Sequence, residues 1–180
     1  MNQPASRPVG QPVSQLEIWP ILSAWAQGDE PTTPQRQQLI AWELADSCHI
    51  WQILPETIAI AIQNRMTLLQ AVRQETPASA FPLPGTWIDW IVPLWRLWLP
   101  LAQQLSSQQK ALGKPFIQGI LGGQGTGKTT LTYVLQLILA QLGHTTVSLS
   151  IDDLYLIHSE RQQLQQQDPR LVWRGPPGTH

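Results

Sequence analysis

Apolar residues recur at helical spacing through the first half of the chain. The first helical pattern starts near Val13 and ends before Gly28. Its apolar stripe has the spacing i, i+3, i+4 and i+7 and consists of Ile18, Ile21, Leu22 and Trp25. Thr33 and Pro34 fit the N-cap and first turn of a second helix, whose apolar residues are Leu39, Ile40, Trp42 and Leu44. A third stripe begins near Pro55 and carries Ile58, Ile62, Met66, Leu69 and Val72. The pattern predicts several packed helices.

Changes in this pattern suggest where the regions of the chain begin and end. Residues 1–12 are rich in Pro, Gln and Gly and show no periodicity, which predicts a disordered lead. Residues 13–114 form the predicted helical region, interrupted by a proline-rich loop over 76–85. Residues 115–180 differ in character and form a second region.

The most apolar segment spans residues 87–101 and contains Trp87, Trp90, Trp95 and Trp98. Pro93 and Pro100 predict two short helices rather than one long helix. The segment fits either a membrane-surface or partner-binding helix, or a packed core whose Trp side chains face neighbouring helices. Its polar face lacks the Lys and Arg that membrane-lying helices carry, which favours the packed core.

A strand, a helix and a second strand are predicted after Pro115. Residues 116–121 are a short apolar run typical of a buried strand, and residues 146–151 are another. Between them, residues 129–142 predict a helix that ends at Gly143. Its one apolar face consists of Leu131, Val134, Leu135, Ile138 and Leu142. This order predicts a βαβ unit, hence an α/β fold with a parallel sheet.

The segment between the first predicted strand and its helix reads G-G-Q-G-T-G-K-T and satisfies the phosphate-loop pattern G-x-x-x-x-G-K-[ST]. Glycines let such a loop turn its own N–H groups toward phosphate oxygens, and the helix that follows adds its unpaired N–H groups. We predict that Lys128 contacts the β- and γ-phosphates of a nucleotide and that the Thr129 hydroxyl binds Mg²⁺. The predicted nucleotide-binding residues are Gly122, Gly123, Gln124, Gly125, Thr126, Gly127, Lys128, Thr129 and Thr130.

Asp152 and Asp153 follow the second predicted strand. Ligands of open α/β sheets bind beyond the carboxyl ends of the strands, the same edge that carries the phosphate loop. A carboxylate there can take a proton from an attacking hydroxyl or hold Mg²⁺. The alternative is an Asp pair that caps the next segment.

Composition narrows the classes of function. The 12 acidic and 11 basic residues give a formal charge of −1, so there is no basic excess for binding nucleic acid. A single cysteine, Cys48, excludes a disulfide framework and Cys-based zinc sites and fits a reducing compartment. Neither a signal peptide nor an uncharged apolar run of membrane-spanning length is visible. We expect a cytoplasmic protein without a membrane span, and its oligomeric state stays open.

Two further segments carry a family resemblance. The run S-I-D-D-L-Y at 150–155, after a phosphate loop and one helix, resembles the group of phosphoribulokinase, uridine kinase and pantothenate kinase. The run D-P-R-L-V-W-R-G-P-P-G-T-H at 168–180 is similar to D-glycerate 3-kinases of plants and cyanobacteria. The strong resemblance covers residues 115–180, and it is looser before them.

The resemblance implies a phosphate-loop kinase that uses ATP and Mg²⁺ to convert D-glycerate to 3-phosphoglycerate, a step of photorespiratory salvage. Lys128 would stabilise the transferring phosphoryl group, Asp152 would be the general base, and Asp153 would assist it or reach Mg²⁺ through water. Tyr155, Arg174 and His180 would contact the acceptor, and Arg174 could pair with its carboxylate. Each of these last three also has an ordinary structural interpretation: a core edge, a surface ion pair and a frayed terminus.

The resemblance also implies more chain than residues 115–180 supply. In the family the fold continues through further strands, a base-binding region and a lid, whereas only the first βαβ unit is present here. A lone unit leaves apolar strand faces uncovered. We therefore expect an N-terminal, truncated part of a kinase, with weak ATP binding at best and no glycerate kinase activity by itself.

Two rival functions stay open at this point. One is a phosphate-loop kinase or ATPase that acts on another small acceptor. The other is a helical interaction module, using the Trp-rich segment, with a non-catalytic nucleotide site. Intact Lys128, Thr129 and Asp152 speak against a degenerate site.

Overall fold

The computed structural model describes residues 15–46, 48–75, 87–154 and 156–168. The chain divides into two compact units, residues 1–146 and residues 147–180. The helices of the first unit are α1 (Gln15–Ala26), α2 (Thr33–Asp46), α3 (Cys48–Trp51), α4 (Ile58–Glu75), α5 (Trp87–Pro93), α6 (Leu99–Leu112) and α7 (Lys128–Gln141). In the described part of the chain, no helix is both long and apolar enough to cross a membrane.

The predicted apolar stripes form the core of the first unit. Every residue of the first stripe is buried: Ile18, Ile21, Leu22 and Trp25. The stripe of α4 is buried as well, and a 3₁₀ turn over Pro55–Thr57 leads into this helix. The sequence predicted Thr33 as the N-cap of the second helix. In the structure Thr33 is the first residue of α2, which agrees with the prediction within one position. The short helix α3 was not predicted.

The Trp-rich segment belongs to this core. Trp95 is fully buried, and Trp90 and Trp98 stack with their ring centroids 5.8 Å apart. This packing supports the core interpretation for these three side chains rather than a membrane-surface helix. The indoles supply apolar area to the interior, where each can bury about 200 Å².

The predicted break at the two prolines is not observed. The chain stays helical from α5 through a π-helical turn, Leu94–Trp98, into α6. Pro100 has no N–H to donate to the carbonyl of Arg96 four residues earlier. That carbonyl instead accepts the indole N–H of Trp51 at 3.0 Å. A tertiary hydrogen bond from α3 thus takes the place of the missing helical one.

One ion pair lies entirely inside the helical core. The two carboxylate oxygens of Glu43 each lie 3.0 Å from the Nη1 atom of Arg65, and Trp95 donates its indole N–H to the same carboxylate. Both charged side chains are essentially inaccessible to solvent. Burial lowers the pKa of Arg65, and the negative charge of Glu43 opposes that shift. The pair joins α2 to α4 and, through Trp95, to the π-helical turn.

Helix α7 packs against α4, α6 and the π-helical turn. Its buried residues are Val134, Leu135 and Ile138, which lie on the predicted apolar face. Leu131 and Leu142 of the same stripe are partly buried against the core. The helix that follows the phosphate loop is therefore held by the helical region.

Residues 116–121, the first predicted strand, contact the core through two side chains. Phe116 and Ile120 pack against the core, whereas Ile117 and Leu121 are almost fully exposed, at 92% and 101%. Within the described part of the chain, no residue is assigned to a β-strand. The parallel sheet stays a prediction.

The second unit contains a 3₁₀ turn and one helix within its described residues. The turn is Ile151–Leu154, and the helix is α8 (His158–Gln167). The carboxylate of Glu160 accepts the N–H of Ile157 at 3.1 Å, which satisfies one donor at the start of α8. Val147 and Leu149 of the second predicted strand are exposed.

The buried ion pair predicts a large difference between two matched variants. Glu43→Gln should destabilise the fold by about 3 kcal/mol, because it leaves the charge of Arg65 buried without a counter-ion. Glu30→Gln removes the carboxylate that pairs with Arg36 on the surface and should cost less than about 1 kcal/mol. Urea unfolding followed by circular dichroism measures both losses. Equal losses would show that the buried pair contributes no more than the exposed one.

Candidate functional site

The predicted phosphate loop leads directly into α7. Lys128 is the first residue of α7, and Gly127 caps the helix in the left-handed region with φ of 83°. An L side chain at this position would strain the backbone, so the fourth glycine of the loop is required by its conformation. The first N–H groups of α7, which have no partner within the helix, therefore start at the predicted phosphate site.

Hydrogen bonds within the loop hold its lysine. The ammonium nitrogen of Lys128 lies 2.8 Å from the carbonyl oxygens of both Gly122 and Gly123. The hydroxyl of Thr126 donates to the Gly123 carbonyl at 2.8 Å as well. The two side chains of the loop that donate hydrogen bonds are thus bonded to the loop's own backbone.

Gly122 has no room for a side chain in this arrangement. A Cβ atom built on Gly122 would lie 2.7 Å from the Thr126 hydroxyl oxygen and 3.5 Å from Cγ of Lys128. The close approach of Thr126 therefore explains why glycine suits this position. The sequence pattern specified a glycine at this position, but only the structure shows that the Thr126 side chain lies beside it.

The hydroxyl-bearing residues after Lys128 differ in their surroundings. Thr129, the predicted Mg²⁺ ligand, is exposed, and Thr130 is half-buried. Thr132 bonds back to the carbonyl of Lys128 at 2.9 Å, a contact within the helix. Within the described residues, no group of three or more His, Cys, Asp or Glu side chains could hold a metal ion. An exposed hydroxyl in the first turn of α7 fits a cation that also binds nucleotide phosphates.

Asp153 closes the 3₁₀ turn of the second unit. Its carboxylate accepts the N–H of Ser150 at 2.9 Å, and its own N–H donates to the Ser150 carbonyl at 3.1 Å. Asp153 therefore stabilises the turn that contains it, whereas the alternative given from the sequence was an Asp pair that caps the next segment. Asp152 lies in the same turn by its backbone, and its side chain lies outside the described residues.

The predicted acceptor-binding residues are not described by the structure. Tyr155, Arg174 and His180 all lie outside the described residues. Their roles stay predictions. The loop residues 122–130 are described throughout and form one continuous segment.

A hydrogen bond ties the far end of α7 to α6. The hydroxyl oxygen of Ser106 lies 2.7 Å from Nε2 of His144, just beyond the C-terminus of α7. Ser106 is buried, with 4% of its surface exposed. The N–H of His144 also donates to the carbonyl of Leu139, which fixes the turn that follows the helix. Nothing in the sequence pattern paired these two residues, because they are 38 positions apart.

Two curated proteins resemble the chain over part of its length. The uncharacterized kinase mug58 of Schizosaccharomyces pombe is 42% identical over 79 residues, which is 42% of this chain and 28% of that protein. The chloroplastic D-glycerate 3-kinase of Arabidopsis thaliana is 32% identical over 69 residues, 37% of this chain and 15% of that protein. No protein-family profile matches the chain. No solved structure matches it either.

These similarities support a kinase. Both relatives carry that name, so the chain is related to enzymes of phosphotransfer. The match covers less than a third of either relative's length. Activity, acceptor and cofactors of a whole protein are therefore matters of proposal.

The link between α6 and α7 can be tested with two neighbouring serines. Ser106→Ala should lower the free energy of unfolding by about 1 kcal/mol, since it removes a hydrogen bond from a buried site. Ser107→Ala is the matched control, because that hydroxyl is exposed and bonds only within its own helix, to Gln103. It should be neutral or slightly stabilising. The urea midpoints of the two variants are compared with that of the unchanged chain. Equal shifts would show that the contact between Ser106 and His144 does not contribute to stability.

Proposed function

We propose that the chain is the nucleotide-binding N-terminal part of a phosphate-loop kinase that phosphorylates D-glycerate with ATP and Mg²⁺. The observation that carries this proposal is the loop from Gly122 to Thr129, complete in its pattern and placed at the N-terminus of a buried helix. Similarity to two named kinases supports phosphotransfer. The identity of the acceptor, D-glycerate, is the more specific part of the proposal.

Lys128 and the N-terminus of α7 would bind the phosphates of ATP. The ammonium group would leave the carbonyls of Gly122 and Gly123 and contact the β- and γ-phosphates. Backbone N–H groups of the loop and of the first turn of α7 would surround the same anion. Thr129 would hold Mg²⁺, which screens the charge of the phosphates when it is bound. These groups would promote catalysis by positioning the phosphates of ATP and stabilising their negative charge, and not by forming a covalent bond to them.

Asp152 would accept the proton of the acceptor hydroxyl. Asp153 already has a structural partner in Ser150, which suits a residue that holds the turn in shape. We therefore propose Asp152 as the general base and Asp153 as the residue that positions it or binds Mg²⁺ through water. Tyr155, Arg174 and His180 would complete the acceptor site, with Arg174 on the carboxylate of D-glycerate.

The uncovered apolar segments support the proposal that more polypeptide completes the fold. Ile117 and Leu121 expose one face of the first predicted strand, and Val147 and Leu149 are exposed on the second. Apolar strand residues at this exposure are stabilised only when another strand or helix covers them. The matched relatives are several times longer than the matched segment. We propose that further strands in the complete kinase cover these residues and form the parallel sheet of an α/β fold.

The proposed base and its neighbour predict different kinetics. In the chain continued with its natural downstream sequence, Asp152→Asn should lower turnover by about 10²- to 10⁴-fold, because the amide cannot accept the hydroxyl proton. Asp153→Asn keeps an acceptor for the Ser150 N–H and should have a smaller effect. Release of ADP with ATP, Mg²⁺ and D-glycerate measures both variants.

Two controls sharpen this assay. Residues 1–180 alone should release no ADP above the buffer rate, because part of the site would be missing. Replacement of D-glycerate by other small alcohols identifies a kinase with a different acceptor. A greater loss in Asp153→Asn than in Asp152→Asn would reverse the assigned roles, and near-normal turnover in both would remove the pair from catalysis.

A further inference from the structure

The hydrogen bonds of the phosphate loop compete with phosphate binding. An anion in this loop needs the ammonium group of Lys128 and the backbone N–H groups of the loop as donors. Lys128 is bonded to the carbonyls of Gly122 and Gly123 instead. The N–H of Thr126 also points inward, toward the carbonyl of Gly123 at 3.4 Å. Two donors that phosphate requires are therefore engaged by the loop itself.

The carbonyl of Gly123 is the centre of this closed arrangement. It lies within 3.4 Å of three donors: the Lys128 ammonium, the Thr126 hydroxyl and the Thr126 N–H. A carbonyl oxygen has two lone pairs, so the three donors crowd it, and the N–H at 3.4 Å is the weakest contact. The hydroxyl of Thr126 is the donor with no counterpart in the phosphate-loop pattern, which leaves this position unspecified.

We propose that Thr126 is a latch that holds the phosphate loop closed around its own lysine and so lowers its affinity for nucleotide phosphates. Its side chain fits against Gly122 and fixes the turn in which Lys128 is bonded to the backbone. A nucleotide must open this turn before it can bind. The proposal rests on the proposed function of the loop, and it gives a physical reason for the weak ATP binding that we expect of residues 1–180.

The size of the effect follows from the population of the open loop. When the binding-competent state is a minor one, the apparent dissociation constant is the intrinsic constant divided by the competent fraction. One hydrogen bond contributes about 0.5–1.5 kcal/mol to the closed state, which is a factor of about 2 to 12 in that fraction. Removal of the latch should therefore strengthen binding by about that factor.

The test compares Thr126→Ala with Thr126→Ser. Mg·ATP is titrated into residues 1–180, and binding is followed by the NMR shifts of the loop amides. Thr126→Ala lacks the hydroxyl and should bind about 2- to 12-fold more tightly than the unchanged chain. Thr126→Ser keeps the hydroxyl, so its affinity should lie closer to that of the unchanged chain than to that of Thr126→Ala. Urea midpoints of all three should agree, because the loop is exposed and contributes little to the core.

The outcomes separate the latch from the proposed function. Saturable binding by the unchanged chain, with equal or weaker binding by Thr126→Ala, would overturn the latch and leave the nucleotide site standing. Tighter binding by Thr126→Ala alone supports the latch. Tighter binding by Thr126→Ser as well would assign the effect to the methyl group and overturn the role of the hydroxyl. If none of the three binds ATP, the proposed function and the latch both fail.

Discussion

The burial of one face of α7 is the constraint on which the candidate site depends. A phosphate loop is a short, exposed segment that cannot hold its own position, so its geometry comes from the elements at its two ends. At one end, α7 buries Val134, Leu135 and Ile138 against the helical region. At the other end, Phe116 and Ile120 pack against the same core. The helical region therefore fixes both ends of the loop, and the hydrogen bond between Ser106 and His144 holds α7 at its far end.

Residue spacing was enough to predict most of the helical core. The stripes of α1 and α4 are buried as their periodicity predicted, and so is the centre of the α7 stripe, because a helix with one apolar face removes that face from water by packing it on the core. The continuity from α5 to α6 could not be predicted in this way. Pro100 indicated a break, and the missing hydrogen bond is replaced by Trp51, which is 45 residues from Arg96. The same limit applies to Glu43 and Arg65, since no local pattern pairs two charges across separate helices.

The candidate site divides along similar lines. The glycines and Lys128 could be recognised from the sequence because backbone conformation dictates them locally, and the left-handed φ of Gly127 agrees with that requirement. The bonds from Lys128 and Thr126 to Gly123 depend on the closed shape of the loop and have no signature in the pattern. The bond of Asp153 to Ser150 lies within its own turn, whereas the alternative predicted from the sequence was a cap on the next segment. The predicted sheet, by contrast, requires strand neighbours, which the described residues do not include.

Binding of Mg·ATP to residues 1–180 tests the central claim, that this loop is a nucleotide site. Amide NMR shifts would be followed for the unchanged chain, for Lys128→Ala and for Lys114→Ala, which removes an exposed lysine outside the loop. The account predicts weak, saturable shifts centred on residues 122–130 in the unchanged chain and in Lys114→Ala, and their loss in Lys128→Ala. Shifts that persist unchanged in Lys128→Ala, or that are absent from all three proteins, would contradict it.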